Sequence, residues 1–116
     1  MDRDQGVLLD LILALDDIHA FLLDTDYESF AKDRLRQSAV LHQLTIMGEG
    51  TRRLSESFRK NNDHIPWAKI IGLRNVIVHE YHRVDWSELW AILEGDLPEL
   101  QELLKAISPP CDEPSP

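Results

Sequence analysis

The sequence lacks most of what would tie it to a membrane, an oxidising compartment or a nucleotide site of its own. It has a single cysteine, Cys111, so no disulfide can form within the chain and nothing marks an oxidising environment. It has no long hydrophobic run: the apolar stretch from Val7 to Leu15 is broken by Asp10 and closed by Asp16 and Asp17, far short of the ~20 residues that span a bilayer. The opening residues, Met1 to Gln5, carry no basic region of the kind a signal peptide needs. A cytoplasmic protein without membrane contact is expected. There is also no Gly-rich phosphate loop, so no ATP site is legible in the chain.

Positive charge is scarce too, but unevenly so. The formal net charge is −9 over 116 residues, which argues against an indiscriminate nucleic-acid binder, because such binding rests on Lys and Arg neutralising phosphates. Between Thr51 and Arg83, however, Arg52, Arg53, Arg59, Lys60, Lys69, Arg74 and Arg83 stand against Glu56, Asp63 and Glu80, a local charge of +4 that leaves −13 elsewhere. This middle third is the candidate surface for an anion, and an ordinary solvated charged face explains the same residues.

What the chain does have is helical periodicity, with no competing strand pattern. Leu8, Leu11, Leu15, Ile18 and Leu22 recur at three and four residues, and Leu9, Ile12 and Leu13 widen the stripe, which predicts a first helix buried against more than one neighbour. A short segment around Phe30 follows the polar break Asp24-Thr25-Asp26. A long helix is then expected from about Leu35 to Lys60 on the spine Val40, Leu44, Met47, Thr51, Leu54 and Phe58. Gly48 and Gly50 interrupt it, and close helix approach is the simplest reason for glycine there. Pro66 suits the first turn of a fourth helix running to about His79, and Asp85 with Glu88 resembles a capping box opening a last helix that Pro98 kinks. The expected fold is an all-α bundle of about five helices over 1–107, followed by a disordered Pro-rich tail over 108–116.

Chemistry is concentrated in Arg74-Asn75-Val76-Ile77-Val78-His79-Glu80-Tyr81, where polar groups interrupt an apolar helix. A histidine moves protons near neutral pH, and an arginine grips a phosphate at two points. Asn75 and His79, four residues apart, share a face, so the amide is placed to orient the imidazole. Arg74 and His79 are five apart, roughly 140° around an ideal helix, and do not share one. Either the helix ends near His79, or Tyr81 serves another surface, or two copies of the helix meet across a twofold axis and share one cleft. An interhelical polar network would use the same Arg, Asn and His. Other chemistries fit less well: His79-Glu80-Tyr81-His82 starts like a zincin motif, but Arg83 stands where the second histidine belongs, and no metal site is expected.

These residues resemble the HepT-like branch of the HEPN superfamily, small all-helical ribonuclease toxins marked by R-x-x-x-x-H-x-Y, here Arg74, His79 and Tyr81. The likeness runs through Arg36 to Val40, Ile46-Met47-Gly48-Glu49, Ile65-Pro66-Trp67, Ile70 to Asn75, Val84-Asp85 and Asp96-Leu97-Pro98. It implies a HEPN-like bundle forming a twofold homodimer that cleaves RNA without a metal or other cofactor. It further implies Arg74, Asn75 and His79 as the catalytic group, and the basic middle segment then offers Arg52, Arg53, Arg59, Lys60, Lys69 and Arg83 as RNA-binding candidates. Such toxins are neutralised by a nucleotidyltransferase antitoxin that uses ATP to add AMP to the motif tyrosine, which makes Tyr81 the expected modification site. A non-catalytic HEPN module that docks a nucleotidyltransferase or a nucleotide is the alternative.

Overall fold

The computed structural model describes residues 2–108; the expected tail from residue 109 onward, Cys111 included, lies outside the described residues. The chain forms α1 (Arg3–Phe21), α2 (Tyr27–Lys32), α3 (Arg34–Arg53), α4 (Glu56–Asn61), α5 (Trp67–His79), a 3-10 turn (Tyr81–Arg83), α6 (Trp86–Ala91), a π-helical segment (Ile92–Asp96) and α7 (Leu97–Ile107). No strand occurs among the described residues, and none of their helices is long and apolar enough to cross a membrane. The all-α expectation holds.

α3 is the central element, packed on α1 along one side and on α5 along the other, while α7 closes over α1. The predicted stripe of α1 delivers Leu8, Leu11, Leu15 and Ile18 to the core, and Val40, Leu44 and Met47 of α3 meet them with Ile70 and Ile77 of α5 and Leu100 and Leu104 of α7. Leu9 and Leu13, which widened that stripe in the sequence, are exposed instead. Phe30 of α2 is fully buried against Trp86 and Trp90 of α6, with ring centroids 5.8 and 5.3 Å away. Aromatic side chains contribute large buried areas, so this cluster ties the short α2 to the bundle. Gln37 reinforces the join: its buried amide donates to the carbonyls of Phe30 and Ala31 at 2.9 and 3.0 Å, which keeps the polar group paired inside. Thr51 stands in the apolar spine of α3 because its hydroxyl donates to the Met47 carbonyl at 2.9 Å and needs no outside partner.

The long helix expected to run to Lys60 breaks at Leu54, whose ψ of 143° is extended. The physical reason is local. Ser55 caps α4 by accepting from the Phe58 N–H at 3.1 Å, and its own N–H and hydroxyl donate to the two Asp4 oxygens at 2.7 and 2.6 Å. A serine that satisfies the backbone in a non-helical conformation competes with helix continuation, and the carboxylate of α1 decides the contest. Leu54 remains buried, so the apolar spine survives the break in the helix. The last helix is also divided. Pro98 falls in the first turn of α7, and the preceding segment widens to a π turn in which the Leu97 N–H donates to the Ile92 carbonyl, so the expected kink is taken up without ending the helical path. Gly50 confirms close helix approach: a Cβ there would lie 3.1 Å from the Leu11 Cδ2 of α1.

Candidate active site

The candidate residues lie on α5 and the turn after it. α5 begins beyond Pro66 with Trp67 buried, its indole N–H donating to the Asn62 carbonyl at 3.1 Å and its ring 6.2 Å from that of Phe58. It ends at His79, where Glu80 leaves helical geometry and Tyr81 opens the 3-10 turn. The helix therefore stops at the histidine, and Tyr81 is aimed by the turn rather than by α5.

The apolar positions of α5 set the facing of everything else. Trp67, Ile70 and Ile77 are buried, and at 100° per residue Arg74 falls within their arc. Its side chain is accordingly only 15% exposed, with the guanidinium tip at the edge of the α3 interface. One terminal N–H donates to the Asn75 Oδ1 at 3.1 Å, and the other amino group pairs with the Glu49 carboxylate of α3 at 3.4 Å. The Nε is buried with no hydrogen-bond partner among the described residues. An arginine carries five donors, so this head is well held but not saturated.

Asn75 and His79 are exposed, with Val76 and Val78 beside them at 41% and 44% exposure. The Asn75 amide oxygen accepts from the arginine, and no hydrogen bond joins Asn75 to His79 among the described residues. Arg74 and His79 stay on different faces of α5, as their five-residue spacing requires. Tyr81 is 49% exposed, its ring standing edge-on to that of His82 with centroids 5.9 Å apart.

The basic candidates are spread around this helix. Arg52 and Arg53 end α3, Arg59 and Lys60 end α4, Lys69 lies in the first turn of α5 and Arg83 ends the 3-10 turn. Arg53 lies 3.9 Å from Asp10, Lys60 3.2 Å from Glu56 and Arg83 3.7 Å from Glu80, all as solvent-exposed pairs. Such pairs are weak enough for a phosphate to compete with the carboxylate. Arg59 is half-buried, its Nε without a hydrogen-bond partner among the described residues, and is thus less available than the exposed cations. Glu49 is the participant that sequence reasoning left without a role; its signal was the Gly-Glu-Gly interruption of α3.

Two open clefts, of about 310 and 720 Å³, lie away from this group. One runs between the start of α5 and α7 and is lined by Lys69 and Leu73; the other lies between the end of α1 and α7. Neither is lined by Arg74, Asn75, His79 or Tyr81. No group of three or more His, Cys, Asp or Glu side chains able to hold a metal ion occurs among the described residues.

Comparison with known proteins agrees with the motif. The family model described as "Ribonuclease HepT-like" matches residues 11–107. The chain is 31% identical over 103 residues to a Methanocaldococcus jannaschii protein named "Putative RNase MJ1380", covering 89% of this chain and 94% of that protein. It is also 31% identical over 94 residues to "Probable ribonuclease HepT" of Thermococcus cleftensis, covering 81% and 86%. No solved structure matches the chain. With nearly the whole bundle and the entire Arg74 to Tyr81 stretch inside the matched span, the chain belongs to the HepT-like ribonuclease family.

Proposed function

We propose that the protein is the toxin of a toxin–antitoxin system, an endoribonuclease that cuts RNA without a metal. The observation that carries this is the pairing of a held but unsaturated arginine with an exposed histidine inside the matched family span. In the reaction a ribose 2′-hydroxyl attacks the adjacent phosphorus and the 5′-oxygen leaves, giving a 2′,3′-cyclic phosphate and a free 5′-hydroxyl. His79 accepts the 2′-oxygen proton or gives one to the departing oxygen, and Arg74 holds the phosphate and stabilises the charge it gains. Asn75 restrains the Arg74 head. Single-stranded or looped RNA suits this chemistry, because the backbone must reach an in-line geometry, and DNA lacks the nucleophile.

The site is completed by a second copy. His79 sits at the middle of the outward arc of α5, flanked by Asn75, Val76 and Val78, and two such arcs facing across a twofold axis bury the valines and bring both motifs to one cleft. The half-exposed Tyr81 is the modification site: a nucleotidyltransferase antitoxin moves AMP from ATP to its phenolic oxygen, with pyrophosphate leaving. The added phosphate places negative charge near Arg74 and occupies the space of the RNA backbone.

The test is cleavage of single-stranded RNA in excess chelator by the wild type and by His79→Ala. Wild-type cleavage with 2′,3′-cyclic ends is expected, and the variant should lose about 10²–10⁴ in rate. Full activity in the variant, or cleavage of an all-2′-deoxy substrate, defeats the assignment. A wild type that binds the nucleotidyltransferase but never cuts RNA points to the docking module instead.

A further inference from the structure

Gly48 lies where α3 is pressed against α5, directly beneath Arg74. A Cβ built on it would sit 2.1 Å from the Arg74 Cβ, 2.6 Å from its Cγ and 3.4 Å from the Ile70 carbonyl oxygen. Non-bonded carbons settle at ~3.5–4.0 Å, so the first two distances cannot be accommodated. The atoms struck are the root of the arginine side chain. No rotamer change moves a Cβ, so relief requires α5 itself to retreat by more than an ångström or to turn about its axis.

Gly50, two residues on, offers a contrast within the same helix. Its nearest neighbour would be the Leu11 Cδ2 at 3.1 Å, the far end of a side chain that can rotate aside. Both glycines weaken α3 by their propensity, but only Gly48 bears on the motif helix. The residue after it, Glu49, holds the guanidinium at 3.4 Å, so two adjacent positions of α3 set the stem and the head of one side chain.

We propose that Gly48 is a positioning residue: by having no side chain it seats the stem of Arg74 against α3, which places the guanidinium within reach of Glu49 and Asn75 and fixes where it meets a phosphate. The proposal rests on reading Arg74 as the phosphate-holding group. A methyl group at 48 displaces the whole side chain, and a displacement of about 1 Å in a positioning group costs on the order of 100-fold in rate.

The experiment compares full-length Gly48→Ala, Gly50→Ala, Arg74→Gly and the double variant Gly48→Ala with Arg74→Gly, by thermal unfolding and by single-stranded RNA cleavage in excess chelator. Gly50→Ala is expected to keep kcat within about threefold. Gly48→Ala should lower kcat about 100-fold with a much smaller change in KM, because the group it moves acts mainly on the transition state. It should also lower the melting temperature by on the order of 10 °C, as overpacking does in a domain of this size. Arg74→Gly removes the Cβ that clashes, so in that background Gly48→Ala should lower neither the melting temperature nor the residual rate.

Equal activity of Gly48→Ala and Gly50→Ala, or an equal thermal loss from Gly48→Ala in both backgrounds, overturns the proposal. Should Gly48→Ala fail to fold, recovery of a cooperative transition in the double variant supports it and continued failure overturns it. A wild type that cuts no RNA defeats the reading of Arg74 and the catalytic sense of the proposal with it. The thermal coupling between positions 48 and 74 is still read independently, so the two failures are told apart.

Discussion

Replacing Arg74 by lysine separates a catalytic arginine from a structural one, because the free protein satisfies the guanidinium only in part. Lysine keeps the positive charge and most of the aliphatic stem that lies against α3, but loses the planar fork. On the stability side, the Glu49 pair is worth about 0–1 kcal/mol, since Glu49 is largely exposed, and the hydrogen bond to Asn75 about 0.5–1.5 kcal/mol. Against this, the buried Nε of Arg74 has no partner among the described residues, and removing an unsatisfied buried donor returns about 1–3 kcal/mol. These contributions largely cancel, so Arg74→Lys should unfold within about 1 kcal/mol of the wild type, a shift of roughly 4–8 °C or less. Activity should behave differently. A donor aimed at developing phosphate charge is worth about 2.7–4 kcal/mol, so single-turnover cleavage of RNA should slow by about 10²–10³. Binding of a 2′-O-methyl RNA that cannot react provides a third reading: at 100 times its Kd it should raise wild-type stability by about 2.7 kcal/mol, and only slightly less at the same concentration in the variant, because the lost fork acts mainly on the transition state. A variant that cleaves within about threefold of the wild type, or that melts more than about 15 °C lower, refutes the reasoning and makes Arg74 a packing residue.

Three further outcomes are expected. Incubation with ATP and the partner nucleotidyltransferase should add AMP to the wild type and not to Tyr81→Phe, read by intact mass with the adduct mapped to residue 81; mass added elsewhere disproves the modification site. Ser55→Ala should lower stability by about 1 kcal/mol through loss of the α4 cap and of the contact to Asp4, measured by urea unfolding, and an unchanged midpoint would show that α4 needs no cap. Acid should destabilise the fold in a defined window. The Ser55 hydroxyl holds Asp4 below the ordinary carboxylate range, the Ser29 backbone N–H does the same for Asp26, the Arg36 backbone N–H for Asp33 and the Ser87 hydroxyl for Asp85. A lowered folded pKa means that the unfolded chain binds the proton first, so this stabilisation is complete above the ordinary aspartate value of 3.8 and lost as pH falls through the folded values. Melting temperature followed from neutral pH downward should therefore drop mainly below pH 3.8; a main drop near pH ~6.5 would implicate histidines instead.

The three- and four-residue recurrence of Leu8, Leu11, Leu15 and Ile18, and of Val40, Leu44 and Met47, fixes both the helices and their buried faces, since periodicity is a property of neighbours along the chain. Where a helix is interrupted is not. The break after Leu54 depends on Asp4, fifty-one residues away from Ser55, and nothing in the local sequence announces that carboxylate. Leu9 and Leu13 erred for a related reason, because the width of an apolar stripe does not reveal how many neighbours will cover it.

Within the site the division is the same. The order of Arg74, Asn75, His79 and Tyr81 and their separation around a helix follow from the sequence alone, and with them the family and the candidate chemistry. The tertiary structure decided what each side chain meets: Arg74 turned inward onto Gly48 and Glu49 of α3, Asn75 given to the arginine, His79 left facing solvent, and Tyr81 moved off the helix by the 3-10 turn. Spacing along a helix sets angles between its own residues, whereas the helix lying opposite sets where those angles lead.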